Sequence, residues 1–180
     1  NSVVCGPINA FGTDAQKEKY LKPLARGDWL GCFCLTEPHA GSDAGAITTR
    51  AERQGDAFVL DGVKWHVTSF NEADYAFVQA KLSGGAHDGE HAMFFVDLPS
   101  PGVRVVRTPA YTHSIGHAHP IVAFEGVRVP AANLVGAEGE RRECHHGPQP
   151  RLRGVDRRRG ALLRCRRRGL PRVGRGHGGG

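Results

Sequence analysis

Cys34-Leu35-Thr36-Glu37-Pro38-His39-Ala40-Gly41-Ser42-Asp43 is the stretch on which the reading of this chain turns. Leu30 to Thr36 is a strand candidate, and a residue before proline leaves the helical region, so the strand should turn at Glu37-Pro38. Ala40-Gly41-Ser42 then offers only small side chains, which let a backbone approach a bound group closely. A strand-turn can also use Gly and Ser for geometry alone, so the flanks decide.

Upstream, Thr13-Asp14-Ala15-Gln16 fits a capping box, and Tyr20, Leu21 and Leu24 form a short apolar face at helical spacing. Pro23 and Gly27 are expected to end that helix early. Residues 1–29 thus read as the end of a helical domain. Downstream the period changes. Thr48 to Arg53 and Ala57 to Leu60 flank Gln54-Gly55-Asp56 as a hairpin, and Asp61-Gly62 is expected to turn the chain into a strand from Val63 to Thr68. Tyr75 to Leu82, Ala92 to Asp97, Val103 to Arg107, Ile121 to Phe124 and Val127 to Val129 complete a series of short strands. Such a series without intervening helices predicts a mainly β fold, an antiparallel barrel or sandwich over residues 30–137.

Charge separates the remainder. Residues 1–140 carry 11 Lys+Arg against 16 Asp+Glu, whereas residues 141–180 carry 13 Arg against Glu143 and Asp156 alone. The body is therefore mildly acidic and gives no electrostatic reason to expect nucleic acid. Residues 138–180 read as a disordered or non-native Arg/Gly-rich tail, since Arg and Gly without Lys is what a GC-rich gene yields out of phase. The competing reading is an arginine-rich nucleic-acid-binding arm. Five irregularly spaced cysteines argue against a disulfide framework and suit a reducing, cytoplasmic compartment. No apolar run is long enough for a membrane span, and the start at Asn1 reads as a chain entered in the middle.

The flanks carry a resemblance. Thr36-Glu37-Pro38-His39-Ala40-Gly41-Ser42-Asp43 is similar to the TEP-x-AGSD signature of acyl-CoA dehydrogenases. Phe11-Gly12-Thr13, Gln16-Lys17 and Tyr20-Leu21 resemble that family's FGT-x-x-QK-x-x-YL segment. Leu60-Asp61-Gly62-Val63-Lys64 resembles its L-x-G-x-K segment. Phe124 to Pro130, followed by Asn133-Leu134-Val135-Gly136, resembles its exit from the middle β-domain. The resemblance implies FAD as cofactor, an acyl-CoA as substrate, an electron-accepting flavoprotein as partner, and a homo-oligomer in the intact family.

It also implies site residues. Phe33, Leu35, Thr36, Gly41 and Ser42 would line the flavin, with Thr36 near the pyrimidine edge and Ser42 where pyrophosphate and thioester come near. In Lys64-Trp65-His66-Val67-Thr68-Ser69, set against the family's K-x-W-I-T-N, His66 occupies the Trp position and Thr68 the place facing N5. His66, Val67 and Thr68 are accordingly expected at the flavin, with His66 rather than Trp65 on its face because alternate strand residues share a side. The family's catalytic Glu comes from a C-terminal helical bundle, and no helical pattern begins after Glu140. No catalytic base is therefore assigned, and the chain alone is expected to bind flavin weakly and not to turn over. A weaker alternative is a metal site at His113, His117 and His119, which lacks a nearby fourth ligand before Glu125. Cys32 and Cys34 read as small buried side chains, and Asp56, Asp61, Glu72 and Asp74 as turn residues.

Overall fold

A computed structural model describes residues 2–110, 112 and 119–136. The Arg-rich stretch 138–180, His113 and His117 lie outside the described residues, and so do the readings that rest on them. Two helical pieces come first: α1, Ser2–Phe11, and α2, residues 14–26. Seven strands follow: β1 Gly31–Cys34, β2 Arg50–Gln54, β3 Ala57–Lys64, β4 Tyr75–Ser83, β5 His91–Asp97, β6 Val103–Arg107 and β7 Ile121–Pro130. Among the described residues no helix is long and apolar enough to cross a membrane.

β4 organises the sheet. β5 runs antiparallel along one edge, from Tyr75↔Asp97 to Lys81↔His91. The other edge is shared: β1 pairs in parallel with Tyr75 to Val78, and β2 pairs in parallel with Lys81 to Ser83. β2 and β3 form the expected hairpin, Gln54 opposite Ala57, around Gly55 with φ 64°. β7 lies antiparallel on β3, and β6 antiparallel on β7. The mainly β expectation holds, and the sheet is mixed rather than wholly antiparallel, because the chain makes an excursion between β1 and β2 before rejoining the same edge.

The sheet must curl. From β5 to β7 a flat sheet would span four strand spacings, ~19 Å. Only four residues after Pro130, Leu134 bridges to Phe94 of β5, and four residues reach at most ~14 Å. The Val135 amide then donates to the Met93 carbonyl at 2.8 Å. The curl places two cores on opposite sides. Cys32, Cys34, Ala76, Val78, Phe94, Val96 and Phe124 fill the inner one. Tyr75, Phe77, Met93 and Phe95, the alternate residues of the same strands, face outward onto Val4, Ile8, Tyr20 and Leu24 of the helices. Burial on both faces is why β4 reads as a nearly continuous apolar run.

Several boundaries differ from the sequence reading. Pro23 does not end α2; it sits in the first turn of an α-helical segment that follows a π-helical turn, Lys17–Leu21, and Gly27 with φ 82° caps the helix. Asp61-Gly62 does not turn the chain, and β3 runs through it to Lys64. Gly62 is required because a Cβ there would collide with Thr49, and the Asp61 carboxylate accepts the Gly126 amide at 2.8 Å. Opposite Asp61, β7 carries the two residues Glu125 and Gly126, a bulge made possible by φ 63° at Gly126. That bulge joins Ile121 to Phe124 and Val127 to Val129 into one bent strand. The capping box at Thr13 is present, and Gln16 does more than cap: its side-chain amide donates to the carbonyls of Ala132 and Leu134, both at 2.8 Å.

Candidate functional site

The excursion between β1 and β2 and the loop after β3 form one hydrogen-bonded platform. Leaving β1, the chain reverses in a tight turn in which Glu37 and Ala40 exchange backbone hydrogen bonds at 3.0 and 3.1 Å. This turn aims the Glu37 side chain inward, where it is 1% exposed beside a Lys64 side chain that is 0% exposed. The Lys64 ammonium donates to the Glu37 carboxylate at 2.8 Å and to the Leu35 carbonyl at 3.1 Å. The other carboxylate lone pairs are filled by the amides and hydroxyls of Thr48 and Thr49, at 2.5–2.9 Å. A buried ion pair survives only when its remaining hydrogen-bond capacity is met in this way.

The next residue completes the stitching: the Trp65 amide donates to the Thr36 carbonyl at 2.7 Å. Beyond it the expected strand to Thr68 is absent, since β3 stops at Lys64. Residues 65–69 are an irregular loop with His66 at φ 53° and Ser69 at φ 64°. Val67, 0% exposed, plugs the inner core, and its amide donates to the Pro120 carbonyl at 3.1 Å. His66 and Thr68 are both exposed because Val67 points inward between them, in a loop held by positive φ at His66 and Ser69 rather than by strand alternation. The Thr68 hydroxyl lies 2.9 Å from Nδ1 of His119. Trp65 is half-buried, its ring perpendicular to that of His66 with centroids 5.8 Å apart. Both rings line a hollow of about 120 Å³ with Arg107, Pro109 and Ile121.

The other sequence-derived candidates fall in three places. Gly41 and Ser42 are exposed on the turn, and Thr36 and Leu35 are half-buried at its root. Phe33 packs toward the outer core, 5.9 Å from the Phe77 ring. Val67 has its side chain and amide engaged inside the protein. Cys32 and Cys34 are buried as expected, and burial pushes the Cys34 thiol well up, which leaves it inert. Among the described residues no three His, Cys, Asp or Glu side chains stand together as a metal set. Sequence reasoning missed the Glu37–Lys64 pair, although each motif carries one member of it, and it missed His119 as the neighbour of Thr68.

Burial alone would raise the Glu37 carboxyl, but Lys64, Thr49 and the Thr48 and Thr49 amides outweigh it and hold the pKa down to about 2. Burial draws the Lys64 ammonium down, with Glu37 resisting. An unfolded Glu titrates near ~4.3, so the stabilisation from Glu37 is complete above that pH and lost as pH falls toward ~2. The full amount is about 3 kcal/mol. Urea titrations of the wild-type chain and Glu37→Gln are therefore expected to differ most at pH 6 and to converge near pH 2. A constant difference across that range would disprove the assignment.

A flavin ring was the group implied for this platform, and Gly41 offers a test of fit. No described atom lies within 4 Å of the position a Cβ would take at Gly41, and its backbone is not in the left-handed region. Among the described residues nothing requires glycine there, in contrast to Gly62. A glycine that no described neighbour requires, on an exposed turn next to the exposed Ser42, fits a surface that a ligand approaches closely.

Residues 1–28 match the family model described as acyl-CoA dehydrogenase, N-terminal domain, and residues 32–127 match the one described as acyl-CoA dehydrogenase, middle domain. The chain belongs to the acyl-CoA dehydrogenase family. The mitochondrial short-chain specific acyl-CoA dehydrogenase of Rattus norvegicus is 36% identical over 139 residues, 77% of this chain and 34% of that protein. Among solved structures, butyryl-CoA dehydrogenase from Megasphaera elsdenii superposes with a TM-score of 0.71 at 35% identity, covering 77% of this chain and 36% of that one. A glutaryl-CoA dehydrogenase from Mycobacterium smegmatis, solved in complex with FADH2, gives a TM-score of 0.69 at 32% identity, covering 78% of this chain and 35% of that one. The chain thus spans about a third of the length of the acyl-CoA dehydrogenases it matches.

Proposed function

We propose that this polypeptide forms the flavin-facing wall of an FAD-dependent enzyme that desaturates acyl-CoA thioesters. The observation that carries the reading is the platform itself. The Glu37–Lys64 pair clamps the strand end 35–37 to the loop 65–69, and Gly41, Ser42, His66 and Thr68 are among the residues that these two segments leave exposed. When bound, FAD would accept a hydride from the β carbon of the acyl group. In this chain the Thr36 and Thr68 hydroxyls would address the pyrimidine edge and N5, as donors aimed where charge gathers. His66 would lie on the ring face, Phe33 and Leu35 would shape the wall, and Ser42 would meet pyrophosphate and thioester.

The α proton needs a positioned carboxylate, and such a group contributes ~10²–10⁴-fold. By family resemblance that Glu belongs to a domain other than the N-terminal and middle domains matched by residues 1–28 and 32–127, so these residues would supply the flavin wall and not the base. The intact protein would act on an acyl-CoA, pass electrons to a second flavoprotein, assemble as a homo-oligomer and work in the cytoplasm.

Titrating the chain with FAD and reading its visible band tests the proposal. The wild-type chain should bind weakly and perturb the band. Gly41→Ala should weaken binding about tenfold, the equivalent of overpacking a tight contact by ~1.4 kcal/mol. The same substitution should leave stability unchanged or raise it by about 0.4–1 kcal/mol, because no neighbour is displaced. Thr68→Val should also weaken binding. A band that stays that of free FAD at every protein concentration would defeat the reading.

A further inference from the structure

We infer that His119 is a positioning residue for Thr68: its imidazole decides whether the Thr68 hydroxyl presents a proton or a lone pair to a ligand. The inference rests on the flavin-facing reading of Thr68 and extends it to a residue outside the matched motifs.

The fold brings the two side chains together from distant sequence. β3 ends with Lys64 opposite Val122, so the loop after β3 lies beside the approach to β7. The Val67 amide closes on the Pro120 carbonyl at 3.1 Å, and Thr68 and His119 flank that bond. His119 has φ 64°, a backbone state that non-glycine residues seldom hold without a compensating contact. In that state its Nδ1 stands 2.9 Å from the Thr68 hydroxyl.

A threonine hydroxyl has one proton and two lone pairs, and alone it rotates to suit whatever approaches. Nδ1 removes that freedom. When Nδ1 is bare, Thr68 donates to it, and only a lone pair remains for a ligand. When Nδ1 carries the proton, Thr68 accepts it, and the hydroxyl proton turns outward. The neutral imidazole reaches both arrangements by exchanging tautomers, with no change of charge. A partner for the flavin N5 must offer a proton to the oxidised ring and a lone pair to the reduced one. A hydroxyl backed by an imidazole can do both, whereas a hydroxyl held by a carboxylate or a backbone amide can do only one.

The test uses the full chain with ¹⁵N-labelled histidine. His119→Gly deletes the ring and tolerates the positive φ; His119→Asn tolerates it too and keeps a polar atom on Cγ, the place of Nδ1. Without FAD, the His119 Nδ1 resonance, assigned by its loss in His119→Gly, should move in Thr68→Val. With FAD, His119→Gly should lose about three- to tenfold in affinity, the size of one hydrogen bond. His119→Asn should recover most of that loss, and Thr68→Val combined with His119→Gly should be no weaker than Thr68→Val alone. Independent, additive losses would overturn the inference, as would a Nδ1 resonance indifferent to Thr68→Val. If FAD binds and Thr68→Val weakens it while His119→Gly does not, this inference fails and the flavin reading stands. If FAD binds to no form of the chain, the flavin reading fails and takes this role with it.

Discussion

Lys64→Met is expected to cost the fold about 3–5 kcal/mol, the penalty for leaving one partner of a buried ion pair without the other. Met keeps the length and apolar stem of the side chain, so the loss reports the missing ammonium rather than a cavity. Glu37 would be left buried with its Thr48 and Thr49 donors but no counter-charge, and the Leu35 carbonyl would lose its donor as well. Adding Glu37→Gln should return part of the stability, because no charge remains inside, while the single amide oxygen can accept from only one of the two threonines. Urea denaturation of the single and double variants measures this. A single-variant loss below ~1 kcal/mol would mean that water reaches the pair.

The second large effect concerns the attachment of the helices. Tyr20→Ala is expected to cost about 3–5 kcal/mol, the range for deleting a buried aromatic ring. The Tyr20 ring stacks on Phe95 with centroids 4.0 Å apart and lies 5.0 Å from the Tyr75 ring. Its hydroxyl donates to the Asp97 carboxylate at 2.8 Å, where Lys19 also binds at 2.7 Å. Tyr20→Phe keeps the stack and should lose only about 1 kcal/mol. Midpoints from urea unfolding, at constant slope, separate the two contributions. Equal losses for Ala and Phe would place the energy in the hydroxyl network instead of the ring.

The strands were legible wherever one rule governed them. Gln54-Gly55-Asp56 predicted its hairpin because turn chemistry is local, and Tyr75 to Leu82 predicted β4 because it is apolar on both sides. The chain misled where a residue served a distant partner. Gly62 looked like a turn but is there for Thr49, which lies 13 positions earlier in the chain. Pro23 looked like a helix end but sits in the first turn after the π-helical segment. At the candidate site, the motifs singled out Thr36, Gly41, Ser42, His66 and Thr68, yet the choice of His66 over Trp65 rested on a strand alternation that stops at Lys64. Glu37 read as a turn residue because its partner lies 27 positions away, and no periodicity connects them. His119 lay in a loop with two other histidines, and only the pairing of β3 with β7 brings it to Thr68.

Gln16 bears on how the chain can be cut. Its amide holds the carbonyls of Ala132 and Leu134, so the helical lead grips the very segment that closes the curled sheet onto β5. The family divides this region into an N-terminal and a middle domain at about residue 30, but that seam is one of ancestry rather than of mechanics. Trimming the protein there would strip the outer core of four of its buried side chains and unlatch the far end of the sheet in the same stroke.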